Sequence, residues 1–166
     1  EPDVQSGFAS SQIGARWLLA RGAPGVASVQ GALVAPGRVE NVLNQPLGEG
    51  GMAAEARLLL GRGWNGGFAE AQAGYRWRGG GDIDELRFDA TVGLRPSNDW
   101  MVMAQSFSII AEDNDIGRPN ESHKAQLSVV RTLTERMSVQ IGARGSYAGR
   151  NVVEERGAFV SLWLRR

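Results

Sequence analysis

The stretch DELRFDATVGLRPSNDW, residues 84–100, alternates polar and apolar side chains along most of its length. One set of alternate positions is apolar, namely Leu86, Phe88, Val92 and Leu94, and the other is charged, namely Glu85, Arg87, Asp89 and Arg95. Successive side chains of a β-strand point to opposite faces, so the pattern predicts a strand with one apolar and one polar face. The apolar face requires either a protein core or lipid, and the rest of the chain must decide between them.

The same alternation recurs in eight further segments, which predicts nine strands in a single domain over residues 1–166. Each segment is long enough to cross a bilayer at a tilt. In WMVMAQSFSII, residues 100–110, the phase is ambiguous around Gln105, and we expect a β-bulge there. No helical period, linker or repeat interrupts the series, so the chain is predicted to be all-β.

The connections between these segments alternate in length. Short connections rich in turn-forming or polar residues are RGAPG, GWNGG, RPSND and LTER, and long ones are residues 36–51, 78–84, 111–122 and 148–157. Tight turns alternating with long loops are typical of an up-and-down outer-membrane barrel. A β-sandwich with Greek-key connections is not expected to keep that order.

Composition excludes several classes of function. The 18 basic and 18 acidic residues cancel and form no basic run, so no nucleic-acid partner is expected. The chain has no cysteine, which rules out thiolate metal sites, and we predict neither a metal nor another cofactor. No apolar run is long enough for a membrane-spanning helix. The absence of such a run does not exclude a membrane barrel, because only half of the side chains of a barrel strand are apolar.

Two features favour lipid over a protein core. The apolar face is rich in alanine, glycine and single leucine or valine residues, which suits lipid because acyl chains fill the gaps that small side chains leave. Aromatic residues gather near predicted strand ends, as in the interfacial girdles of membrane barrels: Trp64, Tyr75, Trp77, Trp100, Tyr147 and Trp163. A soluble barrel with a ligand cavity is the alternative.

The strand period, the rhythm of the connections and the closing segment GAFVSLWLRR, residues 157–166, resemble the outer-membrane β-barrel proteins of Gram-negative bacteria, broadly the porin-like and transporter-like ones. The resemblance implies an antiparallel up-and-down transmembrane barrel in the bacterial outer membrane, with outer-membrane lipid as a partner. Such barrels commonly end in an aromatic residue, where this chain has Arg165 and Arg166. They also have even strand numbers, so we expect 10–12 strands in the full-length protein, with at least one N-terminal strand missing here.

The polar face of the predicted strands is the candidate functional surface. Its predicted lumen-lining members are Arg16, Glu55, Arg57, Glu70, Gln72, Arg76, Arg78, Glu85, Arg87, Asp89, Arg95, Lys124, Gln126, Gln140 and Arg144. Across the turns, we expect Arg57 to lie near Glu70, and Arg76 near Glu85 and Asp89. These pairs either fill and rigidify a narrow lumen or, because arginine exceeds carboxylate, form a pathway that favours anionic solutes.

Three functions follow as hypotheses. The first is a porin-like passive channel or transport protein for small polar, preferentially anionic, solutes, without enzymatic activity. The second is a non-conducting barrel that serves structure, adhesion or surface-polysaccharide handling. The third is a lipid-modifying enzyme based on His123, which stands beside Ser122 and Glu121. Neighbours along a strand point to opposite faces, so His123 is better interpreted as a histidine at a loop edge.

Overall fold

The computed structural model describes residues 10–36, 51–79, 83–111, 121–150, 152 and 154–165. The described residues form nine β-strands and no helix, which confirms the predicted all-β up-and-down architecture. The strands are β1 (Ser10–Gly22), β2 (Gly25–Pro36), β3 (Ala53–Trp64), β4 (Gly67–Arg78), β5 (Glu85–Leu94), β6 (Trp100–Ala111), β7 (Glu121–Thr134), β8 (Met137–Arg150) and β9 (Arg156–Leu164).

Each strand pairs antiparallel with its neighbours in sequence, so the nine form one sheet in the order β1 to β9. Among the described residues, contacts between strands join only sequential neighbours, and β1 and β9 do not meet. The sheet is therefore open, with one free edge on β1 and the other on β9. Of the long connections predicted from the sequence, residues 37–50 and 112–120 lie outside the described residues, whereas 78–84 and 148–157 are described for the greater part.

The short connections are tight, as their composition predicts. Asn65 and Gly66 alone join β3 to β4, and Gly66 has a φ of 88°, a conformation that suits glycine because it lacks a Cβ. The β5–β6 turn over residues 95–99 is held to its neighbours by two backbone hydrogen bonds. Arg95 N donates to Gly66 O at 2.7 Å, and Thr132 N donates to Asp99 O at 2.8 Å. The short turns therefore pack against one another at one end of the sheet.

The bulge predicted near Gln105 is wrong. Strand β6 pairs with both β5 and β7 without any shift of register. The phase looked ambiguous because Ser106 and Ser108 share a face with Val102, whereas Met103 and Phe107 share a face with Gln105. Shifts of register occur instead at three other places: between Leu18 and Ala20, between His123 and Lys124, and between Thr132 and Thr134.

The two faces of the sheet differ in chemistry and in burial. We call the face that bears Glu55, Ser128 and Gln140 the inner face, and the face that bears Val92 and Ile141 the outer face. The register assigns every buried side chain to the inner face: Ser28, Ala32, Val34, Ala53, Glu55, Leu59, Arg76, Met103, Ala111, Ser128, Val130, Ser138 and Gln140. No second layer of described residues covers that face. Its side chains must therefore shield one another, which requires the sheet to curve towards the inner face.

The outer face carries most of the exposed large apolar side chains. On β5, Val92 is 44% exposed, and on the edge strand β9, Val160 is 73% exposed. Leucine, isoleucine, valine and aromatic side chains continue this exposed surface across all nine strands. The protein thus departs from the usual arrangement, because charged groups such as Glu55 and Arg76 are shielded while large apolar groups are exposed. The described residues contain no helix that is long and apolar enough to cross a membrane.

Candidate functional site: the charged inner face

The register assigns the residues predicted to line a lumen to the inner face. On the strands these are Arg16, Glu55, Arg57, Glu70, Gln72, Arg76, Arg78, Glu85, Arg87, Asp89, Lys124, Gln126, Gln140 and Arg144. Arg95 follows β5 and lies over the Phe68 ring, with 5.5 Å between its guanidinium carbon and the ring centroid. Phe68 lies opposite Gly93 on the inner face, so Arg95 caps that face at the end with the short turns.

A charge cluster occupies the inner face of β3, β4 and β5. It consists of four arginines and three carboxylates: Arg57, Arg76, Arg78, Arg87, Glu55, Glu85 and Asp89. Its centre is Glu55, which is only 3% exposed. Arg76 binds the Glu55 carboxylate through Nε at 2.8 Å and Nη2 at 2.7 Å, and Arg57 binds its other oxygen. Arg87 approaches to 3.9 Å. One buried carboxylate is therefore surrounded by three guanidinium groups.

Arg57, on β3, connects its own strand with β5, which lies on the other side of β4. Its Nη1 lies 2.6 Å from Asp89 Oδ2 on β5 and 3.3 Å from Gln72 Oε1 on β4. The contact with Asp89 passes over Gly74, which is the register partner of Arg57. A Cβ at Gly74 would lie 2.7 Å from Arg57 Cγ, so glycine at this position provides the space for the arginine. Arg57 thus ties three strands together through one side chain.

The pairing expected between Arg57 and Glu70 is wrong. The two-residue turn places Arg57 opposite Gly74, and Glu70 lies opposite Gly61. Gly74 and Glu70 are four residues apart on β4, or about 13 Å along the strand. Arg57 instead binds Glu55, Asp89 and Gln72.

The pairing expected for Arg76 holds in part. Glu85 is its register partner on β5, and Arg76 also forms an ion pair with Glu55 on β3. Glu85 binds Arg78 at 2.7 Å and Arg87 at 2.7 Å, and Asp89 binds Arg57. The charges therefore form one connected network, in which Glu55 contacts arginines on three strands and Glu85 contacts arginines on two.

An uncharged polar network continues across β5 to β9. Gln105 donates to Thr91 at 3.3 Å and accepts from Gln126 at 2.8 Å, along a single inner-face row. Gln140 donates to Ser128 at 2.8 Å, and the Trp163 indole donates to Gln140 at 3.0 Å. The sequence pattern assigns Thr91 and Ser128 to the polar face, but sequence reasoning missed Gln105 and Trp163 as members of this face, although continuous alternation from Met101 would have included Gln105.

The free space of the inner face lies towards the short turns. A cavity of about 450 Å³ is lined by residues that include Arg16, Ser28, Leu59, Glu70 and Gln72. Arg16 is held by Gln30, to which its Nη2 donates at 2.8 Å. This region therefore combines a cation and a carboxylate around open space.

One acidic group outside the strands is also tied to the sheet. The Glu155 carboxylate, which precedes β9, accepts from Lys124 Nζ at 2.9 Å. That hydrogen bond and the positive charge of Lys124 hold the pKa of Glu155 below its ordinary value. The described residues contain no group of three or more His, Cys, Asp or Glu side chains that could hold a metal ion.

The predicted interface aromatics divide into two sets at opposite strand ends of the outer face, plus one exception. Trp64 and Trp100 lie at the end with the short turns, where Arg131 lies 5.2 Å from the Trp100 ring centroid. Tyr75, Trp77 and Tyr147 lie towards the opposite end, and the Tyr75 and Trp77 rings are 4.9 Å apart. Trp163 lies on the inner face instead, opposite Ser138.

His123, which the sequence predicts to lie at a loop edge, is the third residue of β7. Its partner is Ser108 on β6, whose Oγ lies 2.9 Å from His123 Nδ1. Ser122, the neighbour weighed from the sequence, lies opposite Ile109 on the other face. The contact of His123 was therefore not visible from local sequence, because it depends on the register between β6 and β7.

Comparison of the chain with protein-family models, with curated proteins and with solved structures found no match. The functional argument therefore depends on the geometry of the chain itself.

Proposed function

We propose that this sheet is the wall of a transmembrane β-barrel in a bacterial outer membrane, and that the barrel is a porin-like passive channel for small polar solutes. The inverted distribution of side chains supports the proposal above all other observations. Charged groups such as Glu55 and Arg76 are shielded on the inner face, while Leu, Val, Ile and aromatic side chains are exposed on the outer face.

The energetics of the outer face favour lipid as its surroundings. Soluble monomers rarely expose contiguous apolar patches larger than a few hundred Å². Here an exposed apolar surface extends across all nine strands, which in water would be a severe aggregation hazard. In a bilayer the same surface is solvated by acyl chains. The tryptophans and tyrosines near the strand ends would then lie at headgroup depth.

The inner face favours anionic solutes. The predicted lumen-lining set contains eight basic residues, Arg16, Arg57, Arg76, Arg78, Arg87, Arg95, Lys124 and Arg144, and four acidic residues, Glu55, Glu70, Glu85 and Asp89. Rings of like charge in a narrow pore attract counter-ions and repel co-ions. Arg16 and Arg144 lie outside the charge cluster, so their charges are not offset by its carboxylates.

The test is single-channel recording in planar bilayers with a salt gradient across the membrane. Wild-type protein should conduct, with a reversal potential on the anion-selective side. The double variant Arg16→Gln with Arg144→Gln should shift that potential towards cation selectivity, because it removes two lumen charges. Arg131→Gln is the control, since it removes one arginine charge from the outer face and leaves the lumen charges in place. Absence of current from inserted protein, or equal selectivity of all three proteins, would overturn the proposal.

The density of the charge cluster supports a second candidate, a non-conducting structural barrel. Glu55 and Arg76 are buried by their neighbours, and ion pairs connect β3, β4 and β5 across the inner face. In a narrow barrel such a network could fill the lumen and leave the loops as the working surface. The same recordings decide between the candidates, because a filled lumen predicts insertion without current.

A further inference from the structure

A group of polar side chains interrupts the apolar surface of the outer face on β6, β7 and β8. Ser106, Ser108, His123 and Tyr147 all lie on this face, on β6, β7 and β8. Side chains of this kind carry hydrogen-bonding groups that gain nothing from acyl chains alone. Their position therefore requires either mutual satisfaction or a polar ligand.

The four side chains form one connected group, which we call the outer polar cluster. Ser108 Oγ lies 2.9 Å from His123 Nδ1, and Ser106 Oγ lies 3.4 Å from the Tyr147 hydroxyl. The His123 and Tyr147 rings are 5.9 Å apart between centroids. Tyr147 is 61% exposed, so its hydroxyl can also reach a group outside the protein. The register shift between His123 and Lys124 leaves Tyr147 as the extra residue of β8, because His123 pairs with Ala148 and Lys124 pairs with Ser146.

An apolar groove leads away from the outer polar cluster. Its volume is about 310 Å³, and its outer-face lining includes Leu58, Leu60, Ala71, Ala73, Phe88 and Ala90, with Ser106 and Ser108 at one end. Alanines on β4 and β5 form its floor, and the larger Leu58, Leu60 and Phe88 side chains border it. The groove thus ends at the two serines of the cluster.

The register gives the groove a direction across the membrane. One outer-face row runs Leu58, Ala73, Phe88, Ser108, His123 from β3 to β7. Leu58 is the sixth of twelve residues in β3, whereas His123 is the third of fourteen in β7. The row therefore begins in the middle of the strands and, over about 19 Å, reaches the end opposite the short turns. Its apolar end lies at mid-sheet depth and its polar end at the boundary.

We propose that this groove binds one phospholipid molecule, with an acyl chain along the alanine floor and the headgroup at the outer polar cluster. The order of chemistry along the row matches such a lipid, apolar in the middle of the strands and hydrogen-bonding at their end. Ester carbonyl and phosphate oxygens are acceptors for the Tyr147 hydroxyl and for a His123 N–H. This inference rests on the proposed membrane location, and it is independent of conduction through the lumen.

The test uses phosphatidylethanolamine that carries a photoactivatable diazirine in its acyl chain, incorporated into vesicles of unlabelled phosphatidylethanolamine and phosphatidylglycerol that contain the protein. After irradiation, mass spectrometry of peptides locates and quantifies the cross-links. We expect cross-links concentrated on β4 and β5. Ala90→Leu should reduce them about tenfold because the leucine fills the groove, which corresponds to about 1.4 kcal/mol. Tyr147→Phe should reduce them by a smaller factor through loss of one headgroup hydrogen bond.

Ala104→Leu is the matched control, because Ala104 is also an exposed outer-face alanine but does not line the groove. It should leave the cross-links on β4 and β5 unchanged. Uniform labelling over the outer face, or equal labelling of the Ala90→Leu and Ala104→Leu variants, would overturn the proposal. Flotation with vesicles separates the two proposals: protein that floats and cross-links but carries no current retains the lipid site and loses the channel. Protein that does not float removes both.

Discussion

At the scale of single residues, Glu55 is the most buried charged side chain of the described inner face. A buried carboxylate is costly unless its charge and its lone pairs are satisfied, and here Arg57 and Arg76 bind it while Arg87 approaches. The dependence is mutual, since these arginines are themselves shielded from solvent. Loss of the Glu55 charge would leave several guanidinium groups close together without their shared counter-ion.

We therefore predict that Glu55→Gln lowers the free energy of unfolding by about 3 kcal/mol, within the range for breaking a buried pair. The measurement is denaturant unfolding of folded protein, followed by tryptophan fluorescence and by heat-modifiable migration on gels. Glu70→Gln is the control, because Glu70 is an exposed carboxylate on the same face. Equal unfolding free energies of the two variants would show that the charge cluster does not stabilise the sheet.

Residue patterns in the sequence predict which face a side chain occupies but not which partner it has. Alternation alone assigned Arg57 and Glu70 to the same face, as the register has them. Their expected contact fails because the two-residue turn pairs Trp64 with Gly67 and thereby sets the register of both strands. Seven residues back from Trp64 is Arg57, and its partner, seven residues beyond Gly67, is Gly74. Contacts across long connections, such as Ser108 with His123, follow from a register that no local signal specifies.

At the scale of the strand, β5 provides a direct test of the two faces. Val92 and Thr91 are adjacent, yet Val92 lies between Ala69 and Ala104 on the outer face, and Thr91 lies between Glu70 and Gln105 on the inner face. An arginine on the lipid face of a barrel costs about 2–4 kcal/mol at mid-bilayer depth, whereas one on the inner face remains in polar surroundings.

We predict that Val92→Arg greatly reduces folding into vesicles, and that Thr91→Arg reduces it far less. The measurement is the fraction of folded protein after refolding from urea into phospholipid vesicles. The two substitutions add the same side chain to neighbouring positions, so their difference reports the face and not the residue. If Thr91→Arg reduced folding as much as Val92→Arg, the outer face would not be the lipid face.

Strand boundaries were predictable because turn-forming residues mark them. The face that each residue inside β6 occupies was not predictable. Ser106 and Ser108 break the apolar series of its outer face, and Met103 and Phe107 break the polar series of its inner face. A local pattern cannot distinguish such substitutions from a shift of phase. The continuous pairing of β6 with two neighbours settles it, and the serines that obscured the pattern prove to belong to the outer polar cluster.

At the scale of the whole molecule, the direction of the strands restricts how the sheet can close. Nine antiparallel strands leave β1 and β9 running in the same direction, so direct pairing between them would be parallel. Closure with antiparallel pairs alone requires an odd number of additional strands. The most exposed apolar side chains lie on these two strands, with Ile13 77% exposed on β1 and Leu164 74% exposed on β9. The edges therefore combine unpaired backbone groups with an uncovered apolar surface.

The state of these edges predicts a distinct pattern of backbone hydrogen exchange for the chain of residues 1–166 in detergent micelles. In β1 and β9, amides that point to β2 or β8 should be protected. Alternate amides that point to the free edge should exchange at least tenfold faster, because they lack a partner strand. Strands β3 to β7 should show no such alternation, since both of their edges are paired. Residue-resolved NMR exchange measurements on deuterated protein would detect the difference.

Uniform protection along β1 and β9 would instead mean that another strand, from a second copy of the chain, pairs with these edges under the same conditions. The mass of the protein–detergent complex would then show a dimer.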